Sequence, residues 1–223
     1  TNLGVLQAQG VGEPVGRNAA ISSYERACAL GYAVGCTNLG SLLVAGEGAD
    51  PARAARLFQQ SCGAGDPGGC SNLGVLKLEG LGVARDEEAG AKLLQAGCEQ
   101  GDMKGCSNLG VVYQEGRLVK TDMAHAKALY QRACQAAEPS GCSHLAKVYA
   151  LGLGEKRDPK RAAPLFERAC QAGYAPACTN LAKLHGGGAL GAADEATAKV
   201  WLARGCDGGD AEACQLLKRL AKQ

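Results

Sequence analysis

Cysteines recur along this chain on a fixed grid, and the grid restricts the chain to a repeat architecture. Cys28, Cys62, Cys98, Cys134, Cys170 and Cys206 are separated by 34, 36, 36, 36 and 36 residues. Each has a partner eight residues later: Cys36, Cys70, Cys106, Cys142, Cys178 and Cys214. The residues after the second cysteine repeat too, as Thr37-Asn38-Leu39-Gly40, Ser71-Asn72-Leu73-Gly74 and Ser107-Asn108-Leu109-Gly110. Weaker copies are Ser143-His144-Leu145-Ala146 and Thr179-Asn180-Leu181-Ala182. Thr1-Asn2-Leu3-Gly4 stands 36 residues before Thr37, so the chain opens inside a repeat. Self-similarity at such a period marks a solenoid, in which each unit buries its apolar face against its neighbours.

Each unit reads as two helices. Helix A follows an acidic or turn residue, as at Asp66-Pro67 or Asp102, which suit the N-cap and first turn. Its apolar residues fall at helical spacing, as in Cys70, Leu73, Leu76 and Cys106, Leu109, Val112. Glycine pairs such as Gly46 and Gly48, Gly80 and Gly82, or Gly152 and Gly154 end it. Helix B opens at an aspartate 12 residues before the first cysteine: Asp50, Asp86, Asp122, Asp158 and Asp194. Pro51 and Pro159 take the first helical position. Gly16 stands at that aspartate position in the first unit, where Asn18 is the alternative cap. The chain is expected to be one domain over residues 1–223, with helix pairs at about 1–31, 32–65, 66–101, 102–137, 138–173 and 174–209 and a capping helix at 210–223.

The small residue after the repeated leucine (Gly40, Gly74, Gly110, Ala146, Ala182) lets helix B of the same unit approach helix A closely. The final helix has no helix B after it, and its aligned position is Lys218. It keeps Leu217 and Leu220 for the core and offers Lys218, Arg219 and Lys222 to water, as a terminal cap requires.

Composition narrows the function classes. A hydrophobic share of 46% with 21% charged residues excludes disorder. Net charge is +2 with no basic run, which argues against a nucleic-acid binder. No apolar stretch approaches the roughly 18 residues of a membrane span. The chain starts at Thr1 without a basic segment, so a processed or trimmed product is expected, with no visible signal sequence.

Asn-Leu-Gly followed by an apolar residue, the Gly-x-Gly turn, the capping aspartate and the Ala-rich second helix together resemble the Sel-one-like repeat, a relative of the tetratricopeptide repeat. The added cysteine pair is similar to the branch of Helicobacter cysteine-rich proteins. The resemblance covers essentially the whole chain and implies an all-α, right-handed superhelical solenoid of helix-turn-helix repeats. It also implies that each cysteine pair bridges helix B of one unit to helix A of the next, in a secreted or periplasmic protein. Most related repeats are protein-interaction scaffolds, while some cysteine-rich members bind β-lactams and are classed as β-lactamases.

Three readings of the cysteines stand beside one another. Zinc sites favour two to four residues between paired ligands, against seven here, and only His144 and His185 lie near the pairs. Buried free thiols would serve as small core residues. Disulfides are favoured, since the turn between helix B and the next helix A can bring two Cα atoms into bonding range. Each would close a short loop, worth about 2–3 kcal/mol. Such staples compensate for a core with only nine aromatic residues, and they imply an oxidising compartment.

In solenoids of this kind, helices A line a concave groove where an extended peptide or protein segment binds. The residue before the repeated leucine is Asn2, Asn38, Asn72, Asn108, His144 and Asn180. Asparagine is a poor helix former, so its recurrence needs a reason. Its amide can pair with a peptide backbone regardless of sequence, or it can bond an adjacent helix as part of the repeat. Three residues on, the same face reads Val5, Ser41, Val75, Val111, Lys147, Lys183. With His144 and His185 nearby, Lys147 and Lys183 make the C-terminal third a candidate carboxylate site, or simply a solvated helix face. Tyr113 and Tyr149 sit at a rim position, available for ligand stacking or for packing.

Catalytic patterns are missing from the sequence. It has no Ser-x-x-Lys, Lys-Thr-Gly or Ser-Asp-Asn, and Gly-x-Gly is helix punctuation without a following Lys-Ser/Thr. Ser143 and His144 are adjacent, so on a helix they face different ways. The expected function is a peptide-binding scaffold with no cofactor, no metal and no catalytic residue. The alternative is a β-lactam- or peptidoglycan-fragment-binding hydrolase, resting on the resemblance alone.

Overall fold

The computed structural model describes residues 16–44, 46, 48–117 and 120–220. Among them are twelve α-helices and no strand. They are α1 (Arg17–Ala29), α2 (Ala33–Leu43), α3 (Pro51–Gly63), α4 (Pro67–Glu79), α5 (Glu87–Glu99), α6 (Met103–Glu115), α7 (Met123–Gln135), α8 (Pro139–Leu151), α9 (Pro159–Gln171), α10 (Ala175–Gly186), α11 (Glu195–Asp207) and α12 (Ala211–Leu220). The chain divides into two compact units, Thr1–Val112 and Tyr113–Gln223.

Helix starts follow the aspartates. Asp50, Asp86, Asp122, Asp158 and Asp194 each accept a hydrogen bond from the backbone N–H three residues on, at 2.8–3.0 Å. These satisfy donors that the first turn cannot pair internally. The first unit differs. Gly16 is the N-cap of α1 without a side-chain bond, and Asn18 lies inside the helix rather than capping it. A glycine N-cap leaves its extended backbone to start the helix alone. Asp66, expected to cap α4, opens it without bonding its N–H groups. Its carboxylate instead accepts the Thr37 hydroxyl from α2, and Asp210 accepts the Thr179 hydroxyl likewise. The N-cap carboxylate thus ties one helix A to the next.

In the first unit, consecutive helices from α1 to α5 pack on one another in succession, and α2 also packs on α4. Tyr24, Leu39, Leu43, Phe58, Leu73 and Leu76 form one buried cluster with Ala20, Ala54 and Ala55. Phe58 lies where a Cβ on Gly40 would come within 2.6 Å of its ring. The glycine therefore makes room for the Phe58 ring in this core. Burying such a ring contributes about 2–3 kcal/mol.

In the second unit, helices α7 to α12 pack in the same succession, and α10 also meets α12. Tyr130, Phe166, Val148 and Leu181 are fully buried there. Around Ala182, Ala198, Leu202 and Ala213, the partly buried Trp201, Leu216, Leu217 and Leu220 close the end of the core.

All twelve cysteines are paired as the resemblance implies: Cys28–Cys36, Cys62–Cys70, Cys98–Cys106, Cys134–Cys142, Cys170–Cys178 and Cys206–Cys214. Their Cα atoms lie 4.4–4.8 Å apart. That separation falls within the disulfide range. Such proximity needs small side chains beside each cysteine. The preceding residues pair as Ala27 with Gly35, Ser61 with Gly69, Ala133 with Gly141 and Gly205 with Ala213, where a Cβ on any of these glycines would lie 3.0 Å or less from its partner's side chain. At Gly97 and Gly105, where both members are glycine, the buried Ser71 hydroxyl occupies the space left by the two absent Cβ atoms.

Candidate functional site

A cleft in each unit gathers some of the predicted groove residues. The first unit's cleft, of about 330 Å³, is lined by Ser41, Val44, Phe58, Asn72, Val75, Leu76, Lys104 and Asn108. Helices A supply its polar rim: Ser41 from α2, Asn72 from α4, Lys104 and Asn108 from α6. Phe58 from α3 reaches through to the floor. Helical periodicity explains the grouping, because Asn72 and Val75 are three apart and share a face. The Asn72 amide approaches the Ser41 hydroxyl at 3.5 Å, the long limit of a hydrogen bond. Ser41 itself donates to the Thr37 carbonyl at 2.9 Å. The Asn72 amide therefore keeps most of its donor and acceptor capacity.

The second unit's cleft, of about 280 Å³, brings together Lys147 of α8 with Asn180 and Lys183 of α10. Arg157, in the loop before α9, and Phe166 of α9 also line it. The sequence reading missed both. Arg157 lies outside any helical phase, and Phe166 sits on a helix B rather than on the helices A; the signal available for Arg157 was its place beside the Gly-x-Gly turn.

The remaining predicted residues sit elsewhere. Asn2 lies outside the described residues. Asn38 is half-buried and lines neither cleft. His144 is stacked on Tyr130 with ring centroids 5.0 Å apart. Burial, and secondarily the nearby Lys147 charge, push its ring down to about 4, so it is neutral at neutral pH. His185 also lines neither cleft. Tyr113 stacks on His125 at 5.3 Å. Tyr149 is buried, with the Arg161 guanidinium 4.0 Å from its ring centroid and the Lys127 ammonium at 5.1 Å. Its ring is thus already engaged by two cations of the same chain.

Among the described residues, no group of three or more His, Cys, Asp or Glu side chains is placed to hold a metal ion. No described helix is long and apolar enough to cross a membrane.

The Sel1 repeat model matches residues 1–32, 33–66, 67–102, 104–137, 139–174 and 175–210. This chain belongs to the Sel1 repeat family. The Sel1 repeat protein is similar in structure to a Sel1 repeat protein from Oxalobacter formigenes, with a TM-score of 0.74, 26% identity, and coverage of 92% of this chain and 85% of that one. It is similar in fold to a sel1 repeat protein from Klebsiella pneumoniae, with a TM-score of 0.66 and 22% identity over 90% of this chain and 99% of that one. Helicobacter pylori cysteine rich protein B shares 26% identity over 76% of this chain and 97% of its own, at a TM-score of 0.37, too loose a superposition to compare sites. No curated protein matches at a significant level. The two firmer structural likenesses place this chain among helix-pair solenoids of Sel1 repeats.

Proposed function

We propose that this Sel1 repeat protein is a disulfide-stapled scaffold that binds extended peptide segments through the clefts between its helices A. The observation that carries the reading is the convergence of Ser41, Asn72 and Asn108 around one apolar cleft. Amides on a helical framework offer both a donor and an acceptor, which suits the backbone of an extended chain whatever its side chains. Val75, Leu76 and Phe58 supply the apolar floor on which alternate side chains can rest. Asn2, Asn38, His144 and Asn180 hold the same place in other repeats. In the second unit, Lys147 and Lys183 border a separate cleft with Asn180, while Tyr113 and Tyr149 pack against neighbouring side chains of the same chain. Six disulfides support operation in an oxidising compartment, periplasmic or extracellular.

The test is selection of peptides from a displayed random library on the oxidised protein, followed by affinities for the Asn72→Ala/Asn108→Ala variant. Binding weakened about tenfold or more supports the scaffold. Unchanged affinity for every selected peptide removes it. Nitrocefin turnover lost on changing one cleft residue would instead mark a hydrolase.

A further inference from the structure

The second unit's cleft has a chemistry that the first lacks. Lys147, Arg157 and Lys183 line it with Asn180, and no acidic side chain is among its lining residues. Lys183 is bound to Glu212 of α12 at 2.7 Å, so its charge is largely offset. Lys147 has neither a hydrogen bond nor an ion pair among the described residues. Arg157 donates from Nε to the Ala150 carbonyl at 2.9 Å. That bond fixes the guanidinium beside the end of α8 and leaves its terminal nitrogens unpartnered among the described residues. Lys147 and Arg157 thus leave the rim with two uncompensated positive charges. The apolar side chains of Phe166, Leu184, Ala150 and Leu151 line the same cleft.

Cationic and apolar side chains lining one cleft select an anion carried on an apolar group. A guanidinium and an ammonium on the lining of one cleft complement a carboxylate in charge and in hydrogen-bond donors. The volume admits one side chain and its main-chain ends rather than a folded element. We propose that this cleft is a recognition site for the C-terminal carboxylate of a peptide that ends in an aliphatic residue, with Lys147 and Arg157 holding the carboxylate and Phe166 and Leu184 receiving the side chain. The assignment deepens the peptide-scaffold reading by giving it a polarity and an end-point.

The experiment titrates the oxidised, full-length protein with three probes while recording backbone amide resonances of Ala150, Leu184 and Gly187. N-acetyl-leucine presents the terminal carboxylate, N-acetyl-leucinamide removes it, and N-acetyl-glutamic acid α-amide moves it to a side chain. N-acetyl-leucine at millimolar concentration is expected to shift these resonances, with the leucinamide at least about tenfold weaker. Lys147→Gln weakens N-acetyl-leucine by a similar factor and Lys147→Arg retains it, while both variants unfold at the wild-type temperature. Equal affinity for the acid and its amide overturns the proposal, as does absence of any shift. Binding by the glutamic acid amide alone overturns the terminal source. N-acetyl-leucine is too short to exploit a row of amides, so failure here is separate from failure of the Asn72→Ala/Asn108→Ala test.

Discussion

Gly74 and Gly90 face each other across α4 and α5 so closely that a Cβ on either would lie 2.8 Å from the other's carbonyl oxygen. The contact is backbone against backbone, so no side-chain rotation can relieve it. It explains why a helix-disfavouring residue recurs in mid-helix: the glycine lets helix B lie directly on helix A. Gly74→Ala is therefore expected to destabilise the fold by about 1–3 kcal/mol, the range for overpacking. Alanine's better helix propensity, worth up to about 1 kcal/mol, opposes this only partly. Urea unfolding checks it, and a variant as stable as the parent would contradict the close-approach account.

Ala137 predicts a gain instead. It has φ +64°, while the equivalent turns use Gly31, Gly65, Gly101, Gly173 and Gly209 at φ +84° to +100°. A left-handed alanine costs about 1–2 kcal/mol that glycine avoids, less glycine's greater loss of freedom on folding. Ala137→Gly is expected to raise stability by about 0.5–1 kcal/mol, read as a higher urea midpoint.

Each disulfide closes a short loop between a helix B and the next helix A. Cys98→Ser/Cys106→Ser is expected to cost about 2–3 kcal/mol through the greater freedom of the unfolded chain. Intact-mass measurement after alkylation without reductant checks the pairing itself. The oxidised protein should take up no alkyl group, and the reduced protein twelve.

His144 makes stability depend on pH. An unfolded histidine titrates near 6.5, whereas burial against Tyr130 holds the folded ring at about 4. Between those values the unfolded chain binds the extra proton, so stability is full above about 6.5 and is lost as pH falls towards 4. The loss reaches at most about 3 kcal/mol. His144→Asn installs the residue used by the other repeats and should remove this component. Unfolding at pH 7 and 4.5, in parent and variant, measures it.

Much of this arrangement is legible in the cysteine grid and the aspartates. The aspartates locate helix starts because a carboxylate three residues before an N–H satisfies a donor in any helix, independent of tertiary context. The small residues preceding both cysteines were equally visible, yet their meaning depends on the 4.4–4.8 Å approach of the paired Cα atoms. Asp66 looked like an ordinary cap, but the Thr37 hydroxyl of the preceding helix A competes for its carboxylate. At the candidate sites, helical phase brought Asn72 and Asn108 together, and likewise Lys147 and Lys183. It says nothing of a loop residue such as Arg157, nor of the buried Phe166 of α9 bordering the cleft. The tyrosine at position 149 shows the same limit, since its cation partners come from α7 and α9.

The central claim is that cleft amides pair with a peptide backbone, and N-methylation of that backbone tests it most directly. A selected peptide and its N-methylated form are titrated against the parent and against Asn72→Ala/Asn108→Ala. N-methylation is expected to weaken binding to the parent about tenfold, the value of one or two hydrogen bonds, and to change binding to the variant little. An equal loss in parent and variant would show that the asparagines do not read the backbone, and would contradict the account.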